Sequence, residues 1–227
     1  MENQVGSGAV GGENASSTES ADDAQIKFDI SLGPLDSTDV PTIRKWRNDP
    51  RIYSWCRQND FISDIEQNCW FQRQTDDPSI RMYAIRGTIG DRSINPQGIV
   101  GVAGLTSLRF GHSNAEFSLY IAPELQGLGF GKGALSLLLE HAFTHYPIEM
   151  IYGEVLAGNP ALDMYQKLGF KLGGLRRRAY FKGGKFIDSI FVDILGEEWK
   201  ANSSNILSGL QSEASLQDCS APKSTES

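Results

Sequence analysis

A chain of 227 residues, 40% of them hydrophobic, can bury one substantial core, and no apolar run approaches the about 20 residues that a membrane helix needs. The net charge of -7 sits mostly in the ends: residues 1–25 hold five acids and no base, 200–227 hold three acids against two lysines, and the residues between are left near neutrality. This distribution excludes a global basic field for duplex DNA or an anionic membrane, although a single modified base stays open as a ligand. Three cysteines without Cys-x-x-Cys spacing suit reduced thiols better than a disulfide framework, and Met1-Glu2-Asn3-Gln4 lacks the start of a secretory signal, so a cytoplasmic location is expected.

Residues 1–25 are Gly, Ser, Glu, Asn and Ala with hardly a large apolar side chain, too little to offset the entropy of ordering them, so a disordered acidic tail is expected. At Ile26 the pattern changes. Phe28, Ile30 and Leu32 alternate as in a short strand, Gly33-Pro34 turns the chain, and Ser37 and Asp39 with Pro41 open a helix that runs to Arg47. Pro50 ends it, because the residue before a proline is biased away from helical angles. Ser63-Asp64-Ile65-Glu66 reads as a capping box for a second helix that fades by Thr75. Tyr53, Trp55 and Phe61 between the two helices are more aromatic surface than a spare loop needs; core packing and the wall of an acceptor pocket both account for them.

Three strands are expected at 81–87, 98–105 and 115–121, whose hairpin spacing indicates an antiparallel meander. Alternation in the third places Phe117, Leu119 and Ile121 on one face and Glu116, Ser118 and Tyr120 on the other. Then comes Gln126-Gly127-Leu128-Gly129-Phe130-Gly131-Lys132, with glycine at every second position and Leu135, Leu138, Leu139, Ala142 and Phe143 following at helical spacing. Such a loop turns tightly into a helix and aims free N–H groups, with the positive end of the helix dipole behind them, at one point: a site for phosphate. Lys132 is followed by Gly133 rather than Ser or Thr, which speaks against a Walker loop. A dinucleotide fingerprint, with Glu149 or Glu154 as its ribose acid, stays nominally open.

After a helix at 131–145, a strand at 149–156 is expected to return parallel beside 115–121. Asn159 and Pro160 start another helix, with Leu162, Tyr165 and Leu168 at helical spacing and Gly169 as its stop. A last hairpin joins 171–181 to 186–195 through Gly183-Gly184. Its Arg176, Arg177 and Arg178, with Lys182 and Lys185, form the one concentrated basic patch, either solvated or facing a ligand's phosphates. Trp199 closes the fold, and the Ser-rich residues 200–227 are expected to be a second disordered tail. His141 and His145 stand at i and i+4 without a third ligand, so no metal site is expected.

The segment Gln126 to Gly131 resembles the Gln/Arg-x-x-Gly-x-Gly/Ala signature of the GCN5-related N-acetyltransferases. Asn159 to Phe170 resembles that family's Asn-x-x-Ala-x-x-x-Tyr-x-x-x-Gly-Phe box, offset by one at Ala161 but with the Asn159-to-Tyr165 distance kept. Two motifs in the right order, about 30 residues apart, are more specific than either alone. Trp46-Arg47-Asn48-Asp49, Ile62-Ser63 and Trp70-Phe71 are similar to amino-sugar N-acetyltransferases of the pseudaminic-acid pathway and, more loosely, to ribosomal-protein N-terminal acetyltransferases.

The resemblance implies an α/β (α+β) domain over residues 26–199, with a mixed, mostly antiparallel central sheet and helices on both faces. It implies acetyl-coenzyme A as co-substrate and no metal. The pyrophosphate would lie on Gln126, Gly127, Leu128, Gly129, Phe130, Gly131 and Lys132, the pantetheine arm along the main chain of Tyr120 and Ile121 and against Asn159, and the thioester beside Tyr165. Glu116 is the candidate acceptor of the amine's proton, directly or through water. Tyr165, with a phenol pKa of about 10 against about 8.5 for a thiol, can return a proton to the sulfur. Trp46, Arg47, Tyr53, Trp55 and Arg178 are expected to bind the acceptor, a primary amine on a nucleotide-type small molecule, because aromatic faces stack on bases or sugars and arginines pair with phosphates. A protein N-terminus or lysine and a non-catalytic coenzyme A-binding module are the alternatives, a simple polyamine fits less well because its positive charge would ask for acidic walls, and nothing in the sequence sets the oligomeric state.

Overall fold

The computed structural model describes residues 28–89, 92–93, 98–208 and 214–216. The tail expected at 1–25 lies outside them. Among the described residues nine strands form one sheet: β1 (Phe28–Pro34), β2 (Arg81–Ile89), β3 (Arg92–Ser93), β4 (Ile99–Arg109), β5 (Asn114–Ile121), β6 (Met150–Leu156), β7 (Lys171–Lys182), β8 (Lys185–Leu195) and β9 (Ala214–Leu216). Their order is β7-β8-β6-β5-β4-β2-β1-β9, with β3 pairing β2. Only β5/β6 and β1/β9 are parallel, as expected for β5 and β6 from the strand, loop, helix and strand between them.

The helices are α1 (Val40–Arg47), α2 (Pro50–Tyr53), α3 (Asp64–Asp76), α4 (Phe130–His145), α5 (Ala161–Lys167) and α6 (Gly196–Ser208). They cover both faces, which β2 makes plain, since adjacent residues of a strand point to opposite sides. Met82 shares a cavity with Trp70 of α3, whereas the Tyr83 hydroxyl bonds His141 of α4 at 3.1 Å and the Tyr146 hydroxyl at 3.0 Å. The expected capping box at α3 forms: Ser63 Oγ accepts from the Glu66 N–H at 3.2 Å, and Glu66 Oε2 accepts from the Ser63 N–H at 2.8 Å. Leu135, Leu138 and Leu139 of α4 are fully buried where that helix lies on β1, β4 and β5, each worth about 1.5–3 kcal/mol over an exposed side chain.

The last helix, α6, runs past the expected domain end at 199 to Ser208. Trp199, Ile206 and Leu207 are spaced so that they fall on one helical face; Trp199 is fully buried with its Nε1 donating to Glu140 at 2.9 Å, and Ile206 and Leu207 pack against the core beside it. Further on, β9 pairs Ala214 to Leu216 with Ile30 to Leu32 of β1.

Candidate active site

The site is an opening in the sheet. Parallel pairing of β5 with β6 spans only Asn114↔Met150, Ala115↔Ile151 and Glu116↔Tyr152. Beyond Glu116, β5 stays on β4 as far as Ile121↔Gly101, and β6 stays on β8 as far as Leu156↔Ser189, so the two strands part. Phe117 is the wedge. Its ring lies against Gly153 of β6, where an added Cβ would meet it at 2.3 Å, and packs edge-on to Tyr165 and Phe170 at 5.1 and 5.2 Å. The parted strands turn ladder groups toward each other across a cavity of about 740 Å³. An extended ligand with amides of its own suits such a gap, because backbone groups left without partners are costly.

At one end of the cavity the glycine-rich loop enters α4. Gly129, the residue before the helix, has φ 97°, a left-handed angle that favours glycine, and its carbonyl accepts the first helical bond, from Gly133 at 3.1 Å. The amides of Gly131 and Lys132 therefore have no intrahelical partner and stand at the positive end of a 16-residue helix. Gln126, Gly127, Gly129, Gly131 and Lys132 line the cavity; Leu128 is exposed beside it, and the Phe130 side chain is buried under the helix. Tyr120, Ile121 and Asn159 also line it, and Asn159 Oδ1 caps α5 by accepting from the Ala161 N–H at 2.9 Å.

The two catalytic candidates approach the gap from opposite sides of the sheet. Glu116 points to the face of α1 to α3 and is 9% exposed, its carboxylate 2.7 Å from the Arg57 guanidinium. Tyr165 lies with Phe117 on the face of α4 and α5, lines the cavity, and has its phenol pushed up to about 12 by burial. At neutral pH it therefore keeps its proton, the state a proton donor to a thiolate requires.

Of the expected acceptor residues, Arg47 and Trp55 line the cavity. Arg47 donates to Gln58 Oε1 at 2.8 Å and stands 5.9 Å from the Trp70 ring. Three others are placed differently. Trp46 shares the buried face of α1 with Ile43 and belongs to the core. Tyr53 stacks on Phe61 and donates to the Asn59 carbonyl at 3.0 Å, which fastens the loop instead of lining the cavity. Arg178 sits in a bulge of β7 between the pairs Arg176↔Ser189 and Tyr180↔Ile187. There its N–H donates to Asp188 Oδ1 at 2.7 Å and its guanidinium lies 4.9 Å over Phe186, away from the cavity.

Sequence reasoning missed Arg57, Trp70 and the setting of Glu154. Glu154, on the same face of the sheet as Glu116, accepts from Arg176 and Ser189 at 2.6 Å and from Tyr180 at 2.8 Å. Burial alone would raise its carboxyl, but the Ser189 and Tyr180 bonds and the Arg176 and Arg57 charges hold it below the usual range. These partners occupy Glu154, one of the two acids that kept a dinucleotide reading open. The Tyr120 hydroxyl is buried in the wall with no hydrogen-bond partner among the described residues.

Residues 29–171 match the family described as Acetyltransferase (GNAT) domain. The chain belongs to the GNAT acetyltransferases. It is 26% identical over 160 residues to the spermidine N(1)-acetyltransferase of Vibrio cholerae, covering 70% of this chain and 88% of that one. It is also 24% identical over 139 residues to acetyltransferase PseH of Campylobacter jejuni, covering 61% and 80%. A crystal structure of spermidine N-acetyltransferase from Vibrio cholerae in complex with CoA and spermine superposes with a TM-score of 0.69 over 75% of this chain and 98% of the other, at 26% identity. This GNAT chain is thus an acetyl-coenzyme A-dependent N-acetyltransferase, as the two motifs implied, and the loop amides and the gap between β5 and β6 fit that co-substrate. No helix among the described residues is long and apolar enough to cross a membrane.

Proposed function

We propose that the acceptor is a primary amine carried on a nucleotide-type small molecule, and that the reaction takes place in the cytoplasm. The observation that carries the reading is the charge of the cavity wall. Arg47, Arg51 and Arg57 line it against two acids, Glu116 and Glu154, with Lys132 at its phosphate-loop end; each acid already has an arginine partner, Arg51 is matched by Asp49 and Glu124, and Arg47 is the wall cation without a carboxylate partner among the described residues. A polycation would find little unmatched negative charge there, whereas an anionic body finds cations, the faces of Trp55 and Trp70, and the unpartnered Tyr120 hydroxyl.

Bound acetyl-coenzyme A supplies an acetyl thioester at the gap. The Gly127 to Lys132 backbone holds the phosphate end, Glu116 takes a proton from the acceptor's ammonium, and the Tyr165 hydroxyl holds a proton for the departing sulfur. The neutral nitrogen adds to the acetyl carbon, the carbon–sulfur bond breaks as the sulfur takes the Tyr165 proton, and the proton the nitrogen then loses restores the phenol, with no covalent enzyme intermediate. Spermidine is the second reading, favoured by the names of the relatives at 24–26% identity. Release of free coenzyme A with UDP-glucosamine, spermidine and a peptide N-terminus tests the choice. The highest kcat/KM is expected for UDP-glucosamine; a higher value for spermidine or the peptide refutes the reading.

A further inference from the structure

A cation already sits where an acceptor ammonium would arrive. The Arg57 guanidinium lies 2.7 Å from Glu116 of β5 and 3.6 Å from Glu154 of β6, bridging the two strands at the point where they part. Both carboxylates are nearly enclosed, with side-chain exposures of 12% and 6%, while Arg57 is half exposed at 50%. Their needs differ. Glu154 keeps Arg176, Ser189 and Tyr180 if Arg57 leaves, whereas Arg57 is the one side chain bonded to the Glu116 carboxylate among the described residues. An enclosed carboxylate stripped of its cation is costly, so whatever displaces Arg57 from Glu116 has to bring a positive charge.

The chain on either side of Arg57 is fastened. Asn48 exchanges two bonds of 2.8 Å with Ile62, Gln58 donates to the Arg47 carbonyl at 3.1 Å, and the Lys182 ammonium donates to the Gln58 and Tyr53 carbonyls. Departure of the guanidinium is therefore a side-chain rotation into solvent rather than an opening of the loop.

We infer that Arg57 is a specificity-determining residue that occupies the ammonium subsite of the acceptor-free enzyme and must be displaced by the incoming amine. The inference builds on the proposed function in taking Glu116 as the group that meets the amine. One ammonium replacing one guanidinium at Glu116 keeps the charge balanced. A second or third ammonium on the same molecule meets Arg47, an Arg51 already matched by Asp49 and Glu124 and a Glu154 already matched by Arg176, and the displaced Arg57 stays nearby. Arg57 thus admits singly charged amines and disfavours polyamines.

Calorimetric titration of spermidine into the free enzyme tests this without turnover. Arg57→Ala is expected to bind spermidine about tenfold more tightly or better, and Arg57→Lys, which keeps a cation on the loop, is expected to stay at the parent affinity. Adding Glu116→Gln to Arg57→Ala should abolish the gain. Unchanged spermidine affinity in a folded Arg57→Ala variant, or a gain that survives Glu116→Gln, overturns the inference. The parent enzyme's ranking of spermidine against UDP-glucosamine tests the proposed acceptor separately, since it depends on the wild-type wall and the Arg57 test on a difference between variants.

Discussion

Gly129 and Gly131 stand two residues apart in the phosphate loop and should respond to alanine in different ways. Gly129 has φ 97°, where a side chain costs about 1–2 kcal/mol. If the backbone relaxes to avoid that strain, the first-turn amides of α4 swing away from the cavity. Gly129→Ala should therefore lower acetyl-coenzyme A affinity about tenfold, equivalent to about 1.4 kcal/mol, and lower Tm by roughly 2–8 °C. Gly131 is already helical, and a Cβ there would lie 3.5 Å from Met164 Sδ and 3.7 Å from Ile121 Cγ1, both ordinary contacts. Replacing a helical glycine by alanine gains about 0.5–1 kcal/mol, so Gly131→Ala should hold or raise Tm, and any loss of affinity reports directly on the space the ligand needs. Calorimetric titration with coenzyme A beside thermal melts separates the two effects. Parent-like affinity and Tm in Gly129→Ala would refute the claim that the left-handed turn presents those amides.

Tyr165→Phe should lower kcat about 100-fold while KM for acetyl-coenzyme A changes little, because the lost hydroxyl acts on the leaving sulfur; unchanged kcat removes it from that role. Glu116→Gln should lower kcat/KM for the amine by about 100-fold and spare coenzyme A binding by the free enzyme, which calorimetry checks. The Glu154 carboxyl is held below its ordinary value of 4.5 in the folded state. The stability it contributes is then fully present above the unfolded-state value and is lost as pH falls through the lower folded-state one. Glu154→Gln should flatten the decline of Tm below about pH 4.5, and a decline as steep as the parent's contradicts that sign.

What was legible in the sequence is what local spacing encodes. The capping box at Ser63, the glycine loop before α4 and the Asn159 to Phe170 box each act within a dozen residues, and each is found where expected. The alternation that put Glu116 and Tyr120 on one face of β5 and Phe117 on the other also holds, because the β4/β5 register leaves it intact to Ile121. Arg57 and Glu154 were illegible for the opposite reason. They lie 97 residues apart and meet only because β6 returns beside β5 while the loop after α2 is fastened over both. Trp46 was misplaced because aromatic content does not reveal which helical face is buried, Tyr53 because its loop partners Asn59 and Phe61 are set by the loop's fold, and Arg178 because composition does not reveal the β-bulge that holds it.

A crystal structure of the complex with coenzyme A tests the central claim most directly. The pyrophosphate should lie on the Gly127 to Lys132 amides, the pantetheine arm between β5 and β6, and the sulfur within about 3.5 Å of the Tyr165 hydroxyl, on the far side of the sheet from Arg57. Coenzyme A bound outside the gap, or a sulfur beyond reach of the Tyr165 hydroxyl, would contradict the account.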